Sequence, residues 1–209
     1  DGDAPLPPMR LANLQKLRHP LSIDLFAEQV IEQARCVMIR LLGGIEYWRY
    51  GVEECAAICR ATGAALVVVP GDARDDPRFG EFSTVAEEDR ARLGAYLDGG
   101  GPTNTGNALR LAAALAGQGQ IPTEPVEEVP LAGEHDFDAP VEGDRPLAAI
   151  VFYRSYLLAS DLEPLEHLAR SLDRAGLNVR ALYVTSLKEP TSADLVRQRF
   201  NDWHPAVVI

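Results

Sequence analysis

Four short apolar runs constrain this chain most: Cys36–Leu42, broken by Gly43-Gly44, Ala64–Val69, ended by Pro70-Gly71, Leu147–Tyr153 and Asn178–Val184. Leu66, Val67, Val68 and Val69 follow one another with no polar residue between them, the pattern of a strand buried on both faces. Stretches of helical period separate the runs. Ser22 caps an expected helix over 23–33, with Asp24 in its first turn and Phe26, Val30 and Ile31 on the buried stripe. A second helix is expected from Tyr47 to Thr62, stopped by Gly63. Thr84 and Glu87 have the spacing of a capping box for a third, reaching about Leu97. Further helices are expected over 107–116, 162–175 and 193–200, and a short strand over 9–14.

Strand and helix in alternation mean parallel sheets with helices packed on them, joined by right-handed crossovers. The fold class is therefore α/β, with flavodoxin- or Rossmann-like units in two successive modules. Residues 1–117 form the first and 147–209 the start of the second. Between them, 118–146 is rich in Pro and acidic residues and has no sustained period, so it reads as a linker and as the most protease-sensitive stretch. The chain opens without Met and closes on Ala206-Val207-Val208-Ile209, a β-branched run expected to begin a buried strand. That reading expects a fragment of a longer polypeptide.

Lys and Arg number 20 against 31 Asp and Glu, a formal net charge of −11. Such an acidic excess repels phosphate backbones and anionic lipid, so neither nucleic acid nor a membrane is expected as a partner. No apolar run reaches the roughly 18–20 residues of a membrane span, and residues 1–10 lack the basic start and apolar stretch of a signal peptide. A cytoplasmic protein is expected. Its three cysteines describe no disulfide framework. Cys55 and Cys59 share a helix face with Val52 and Ala56, which is the setting of small core cysteines rather than of a metal site.

In open α/β sheets ligands bind beyond the carboxyl ends of the strands, so the loops there hold the candidate residues. One loop carries His19, Ser22 and Asp24. A second carries Gly43 and Gly44, which permit a tight turn, followed by Tyr47, Trp48, Arg49 and Tyr50. A third, after Tyr153, carries Arg154, Ser155, Tyr156, Ser160 and Asp161. The glycine pair resembles a phosphate turn, but neither the dinucleotide fingerprint nor the Walker lysine accompanies it, so ATP is not expected here. Ser155 and Ser160 lack a nucleophile elbow. Asp72, Asp75 and Asp76 are weighed as a cation loop against a solvated acidic one. No residue reads as catalytic and none as a resident metal ligand.

The strings RLANLQKLRHPLSIDLF, VMIRLLGGIEYWRYGVEE, LVVVPGDARDDP and AIVFYRSYLLASDLEPLEHLARSLDRAGLNVRALYVTSLKEP resemble the N-terminal region of the large subunit of aerobic cobaltochelatase, a relative of the porphyrin-binding H subunit of magnesium chelatase. The resemblance implies a subunit that inserts Co²⁺ into hydrogenobyrinic acid a,c-diamide during cobalamin biosynthesis. It implies an AAA+ ATPase partner with its companion subunit, no resident cofactor in this piece, and no activity for the piece alone. His19, Gly43, Gly44, Tyr47, Trp48, Tyr50, Arg154, Ser155, Tyr156 and Asp161 are then candidate substrate contacts. If the three loops form a wall of the binding site, Trp48→Ala and Arg154→Ala in the full-length subunit are expected to weaken corrinoid binding while leaving the fold intact. The alternative is a non-catalytic α/β module that binds a small molecule or docks a subunit.

Overall fold

The structure, a computed structural model, describes residues 7–72, 76–139 and 141–209. They run α1 (Pro20–Gln29), β1 (Cys36–Leu41), α2 (Arg49–Thr62), β2 (Ala65–Pro70), α3 (Arg78–Phe82), α4 (Glu87–Gly99), α5 (Gly101–Leu115), β3 (Ala132–His135), β4 (Leu147–Tyr153), α6 (Arg154–Ala159), α7 (Glu163–Arg174), β5 (Asn178–Val184), α8 (Pro190–Trp203) and β6 (Val207–Val208). Two compact units divide the chain. The first holds Asp1–Gly99 and Thr103–Glu127, the second Gly100–Pro102 and Glu128–Ile209.

In the first unit β1 and β2 pair in parallel, from Cys36 opposite Ala65 to Leu41 opposite Pro70. Leu66 and Val68 enter one apolar cluster with Val37, Ile39, Leu41 and the inner face of α2, while Val67 and Val69 enter another with Leu93, Tyr96 and Leu111. Burial of both faces is why this strand needs an unbroken apolar run. Its outer edge is closed by hydroxyls: the Leu66 amide donates to Thr84 Oγ1 (2.7 Å) and the Val68 amide to Ser83 Oγ (3.0 Å). The Thr84 amide returns a bond to the Leu66 carbonyl (2.9 Å). Thr84 thus serves the strand instead of the expected capping box, and Glu87 pairs with Arg90.

Cys55 and Cys59 are buried on α2 beside Val52 and Ala56. Burial pushes the Cys55 thiol up to about 12 and the Cys59 thiol to about 11, so neither is a ready thiolate. Cys55→Ala and Cys59→Ala are each expected to lower stability by about 1 kcal/mol, the cost of a small cavity. Urea titrations check this. Fast alkylation of either thiol in the folded protein would contradict it.

The second unit is a four-stranded sheet of order β3-β5-β4-β6. β4 is parallel to β5 from Leu147 opposite Asn178 to Tyr153 opposite Val184, and β3 runs antiparallel along the other side of β5. Ile150, Phe152, Val179, Ala181 and Tyr183 pack with Ala169 of α7. β3 lies inside the stretch read from sequence as a linker. Its four residues, Ala-Gly-Glu-His, carry no apolar alternation and are strand because β5 offers an edge. Residues 9–14 form no strand. Asn13 instead caps a 3₁₀ turn at Leu14–Lys16, its carboxamide oxygen accepting from the Gln15 amide. α1 starts at Pro20 and is capped by His19, not by Ser22. Val207 and Val208 join β4 as an outermost strand and stay half-exposed, where the sequence reading expected burial.

Candidate functional site

Beyond the carboxyl end of β1, Gly43 and Gly44 adopt φ of 90° and 84°, a conformation that favours glycine and turns adjacent amides toward one side. Such a nest would suit an anion, but the protein fills it itself. The Gly43 amide donates to Asp72 Oδ2 (3.0 Å) and the Ile45 amide to Asp76 Oδ2 (3.2 Å). Arg78 grips Asp76 through Nε to Oδ1 (2.9 Å) and Nη2 to Oδ2 (2.8 Å), and also pairs with Glu46. Asp72 and Asp76 therefore hold the turn shut; Asp75 lies outside the described residues. Sequence reasoning passed over Arg78, whose two-residue spacing from Asp76 was the available signal.

The Arg78 guanidinium holds the Asp76 carboxyl down to about 2 and holds Glu46 low as well. A depressed carboxylate contributes stability that is fully present above its unfolded value and is lost as pH falls toward its folded one. Unfolding midpoints should therefore drop between about pH 4 and about pH 2, and Asp76→Asn should flatten that limb while lowering the midpoint at neutral pH. Thermal melts across this range, followed by circular dichroism, decide it. An unchanged acid limb in the variant would remove Asp76 from the account.

The residues flagged around this turn differ in what they leave available. His19 Nδ1 accepts from the Leu21 amide (3.2 Å), so this ring is a helix cap. Trp48 is buried and its Nε1–H donates to the Leu17 carbonyl (2.6 Å), which makes it a core anchor and not an exposed ring face. Tyr50 donates its hydroxyl proton to Asp24 Oδ1 (2.6 Å), and that bond pushes its pKa up to about 12. Arg49 pairs with Glu46 and Glu53. Tyr47 and Tyr50 retain exposed rings. The structure thus brings α1, the glycine turn and the start of α2 together, chiefly through bonds internal to the fold.

In the second unit Arg154 opens α6 and reaches two carbonyls, Nε to Pro130 (2.9 Å) and Nη2 to Val129 (2.6 Å). It is a clamp on the segment entering β3. Ser155 and Asp161 are exposed, and the Asp161 amide donates to the Tyr156 carbonyl (2.9 Å). Ser160 closes α6 at φ 56°. His135 is a residue the sequence reading missed. Its ring meets Phe137 edge-on (centroids 4.5 Å apart) and also Phe152, and burial pulls its pKa down despite Asp136, Glu166 and Asp138 nearby. Among the described residues no three His, Cys, Asp or Glu side chains gather closely enough to hold a metal ion. Among them, too, no helix is long and apolar enough to cross a membrane.

Comparison with known proteins converges on one family. The CobN/magnesium chelatase family model matches residues 94–209. The aerobic cobaltochelatase subunit CobN of a Sinorhizobium species is 32% identical across 96% of this chain, and that of Pseudomonas aeruginosa 36% identical across 88%. The chain spans only 17% and 15% of the length of those two relatives. Among solved structures, the catalytic subunit of cobaltochelatase from Mycobacterium tuberculosis superposes with a TM-score of 0.68 at 26% identity, over 83% of this chain and 14% of that one.

Proposed function

The chain belongs to the CobN/magnesium chelatase family, and from that membership we propose that it is a section of the large, tetrapyrrole-binding subunit of a cobaltochelatase. The observation that carries the reading is similarity sustained across 96% of the chain to a cobaltochelatase subunit, through both α/β units. The reaction is insertion of Co²⁺ into hydrogenobyrinic acid a,c-diamide on the way to cobalamin, with Co²⁺ as substrate. ATP is hydrolysed by an AAA+ partner acting with a companion subunit, and the assembly works in the cytoplasm.

The chemistry sets what such a subunit has to do. The macrocycle must be held while two pyrrolic protons leave, and the hydrated cation must shed water before nitrogen replaces it. Proton removal needs a base fixed relative to the incoming metal. A flat ring needs a large and mostly apolar enclosure. The loops described here supply at most part of one wall, because His19, Trp48 and Arg154 are engaged in holding their own units together. This section therefore acts as scaffold and partial wall, and it does not insert cobalt by itself.

A chimaera tests the reading. The matching section of the Pseudomonas subunit is replaced by this chain and assayed for cobalt insertion with its ATPase partners. Retained insertion is expected, and none from the isolated 209-residue chain under the same conditions. A folded chimaera without activity would oppose the assignment, and insertion by the isolated chain would relocate the active site.

A further inference from the structure

The two edges of the sheet in the first unit are finished differently. The Ala65 amide donates to the Arg35 carbonyl (2.9 Å) and the Gly71 amide to the Leu41 carbonyl (2.6 Å), which fixes the parity of the β1–β2 ladder. Val37, Ile39 and Leu41 therefore turn their backbone groups toward β2. Those of Cys36, Met38 and Arg40 point the other way, and among the described residues no hydrogen bond reaches them. On β2 the outward amides of Leu66 and Val68 are the ones that Thr84 and Ser83 satisfy. One edge is closed and the other is open.

Open edges are ordinarily blunted by charge, proline or a bulge. Cys36-Val37-Met38-Ile39 has neither charge nor proline, and β1 keeps an unbroken register with β2 from end to end. The one charged side chain, Arg40, lies near the end of the strand and is turned to Asp98 (3.0 Å). Burial is lopsided too: Val67 is fully buried, whereas Met38 opposite it is only half-buried. A parallel sheet covered on both faces usually holds about four to six strands, not two.

A buried donor adds an independent sign of something missing. Asn107 is 1% exposed; its Oδ1 accepts from Arg110 Nη1 (2.7 Å), but its Nδ2 reaches no acceptor among the described residues. Buried amides are normally paired. Asn107 adjoins Ala108 on α5, and Ala108 and Leu111 belong to the apolar cluster against which Cys36 and Met38 pack.

We propose that the outer edge of β1 receives one more strand, an extended segment of the same subunit from outside these 209 residues, pairing its backbone with Cys36, Met38 and Arg40. Donors and acceptors repeating every second residue along a line select an extended main chain over a small molecule or a helix. The source follows from size and tethering. This chain spans only 17% and 15% of the length of the two curated relatives, and a covalently linked segment outcompetes a separate copy through its effective concentration. The added strand should be apolar on both faces, since Cys36 and Met38 face one cluster and Val37, Ile39 and Leu41 the other. The proposal rests on reading the chain as a section of a larger chelatase subunit.

Hydrogen exchange resolved to single amides, in the isolated chain and in the chimaera, tests it. In the isolated chain the amides of Val37, Ile39 and Leu41 should exchange slowly and those of Met38 and Arg40 fast. In the chimaera Met38 and Arg40 should slow by about a hundredfold or more. Arg40→Pro removes no bond to β2, because that amide faces outward, but it sets a ring against the incoming strand. It should restore fast exchange at Met38 in the chimaera, whereas Arg40→Ala, which loses the same ion pair, should not. Where Arg40→Pro does not fold, the comparison of the two parent proteins still decides. Fast exchange at Met38 and Arg40 in a folded chimaera overturns the proposal. So does slow exchange in the isolated chain, which would mean that the chain itself or a second copy already covers the edge. Fast exchange in a chimaera that inserts cobalt fails the added strand and leaves the chelatase reading; slowed exchange in a folded, inactive chimaera leaves the strand and fails the reading.

Discussion

Trp48→Ala should destabilise the first unit by about 3–5 kcal/mol, the range for removing a buried large aromatic side chain, and so bring much of the population close to unfolding. The indole is 7% exposed and its N–H is bonded to the Leu17 carbonyl, so the change leaves both a cavity and an unpaired acceptor. Its seat is Gly51, where an added Cβ would come within 2.2 Å of indole Cε2. Gly51→Ala should for that reason be damaging alone and much milder when combined with Trp48→Ala, because the two positions share one space. Urea unfolding of the two single variants and the double closes the cycle. A Trp48→Ala loss below about 1 kcal/mol, or strictly additive changes, would restore the indole to the list of exposed ring contacts.

That outcome bears on what a sequence can disclose. Leu66 to Val69 announced a strand buried on both faces because consecutive apolar side chains have no other use in a sheet, and the structure places them in two cores. The runs at 147–153 and 178–184 coincide with β4 and β5 to the residue for the same reason. What escaped is the identity of each polar partner, since a hydrogen bond across 58 or 65 positions leaves no local pattern, as with Arg40 to Asp98 and Arg199 to Glu134. Thr84 and Glu87 had capping spacing, but a strand edge with unpaired amides outcompeted the helix for the threonine hydroxyl. The aromatic cluster at the start of α2 was legible as a cluster. Its division into one buried anchor and two exposed rings depended on Gly51, whose missing side chain carries no apolar signal of its own.

Asn104→Ala should cost about 1–3 kcal/mol and at the same time open residues 118–127 to proteolysis, because one side chain satisfies both backbone groups of Glu127. Asn104 is 1% exposed; its Nδ2 donates to the Glu127 carbonyl (2.8 Å) and its Oδ1 accepts from the Glu127 amide (2.9 Å). Neighbouring stitches run from Arg92 Nη1 to the Pro122 carbonyl (3.2 Å) and from the Tyr96 hydroxyl to the Glu124 carbonyl. The stretch expected from its composition to be an open linker is therefore fastened to the first unit over 122–127. Composition missed this because the attachment uses backbone groups of the segment, which every residue possesses, and side chains of α4 and α5. Gly99 belongs to the same device, since a Cβ there would meet both Asn104 Nδ2 and Val126 Cγ1 at 2.7 Å. Limited proteolysis with a glutamate-specific enzyme, which can cut after Glu127 and Glu128 but not after Glu124, where Pro125 follows, should be slow at Glu127 in the parent and rapid in Asn104→Ala. Equal cleavage rates in the two proteins would mean that the segment opens independently of this bond, and that its acidic, proline-rich composition governs its behaviour after all.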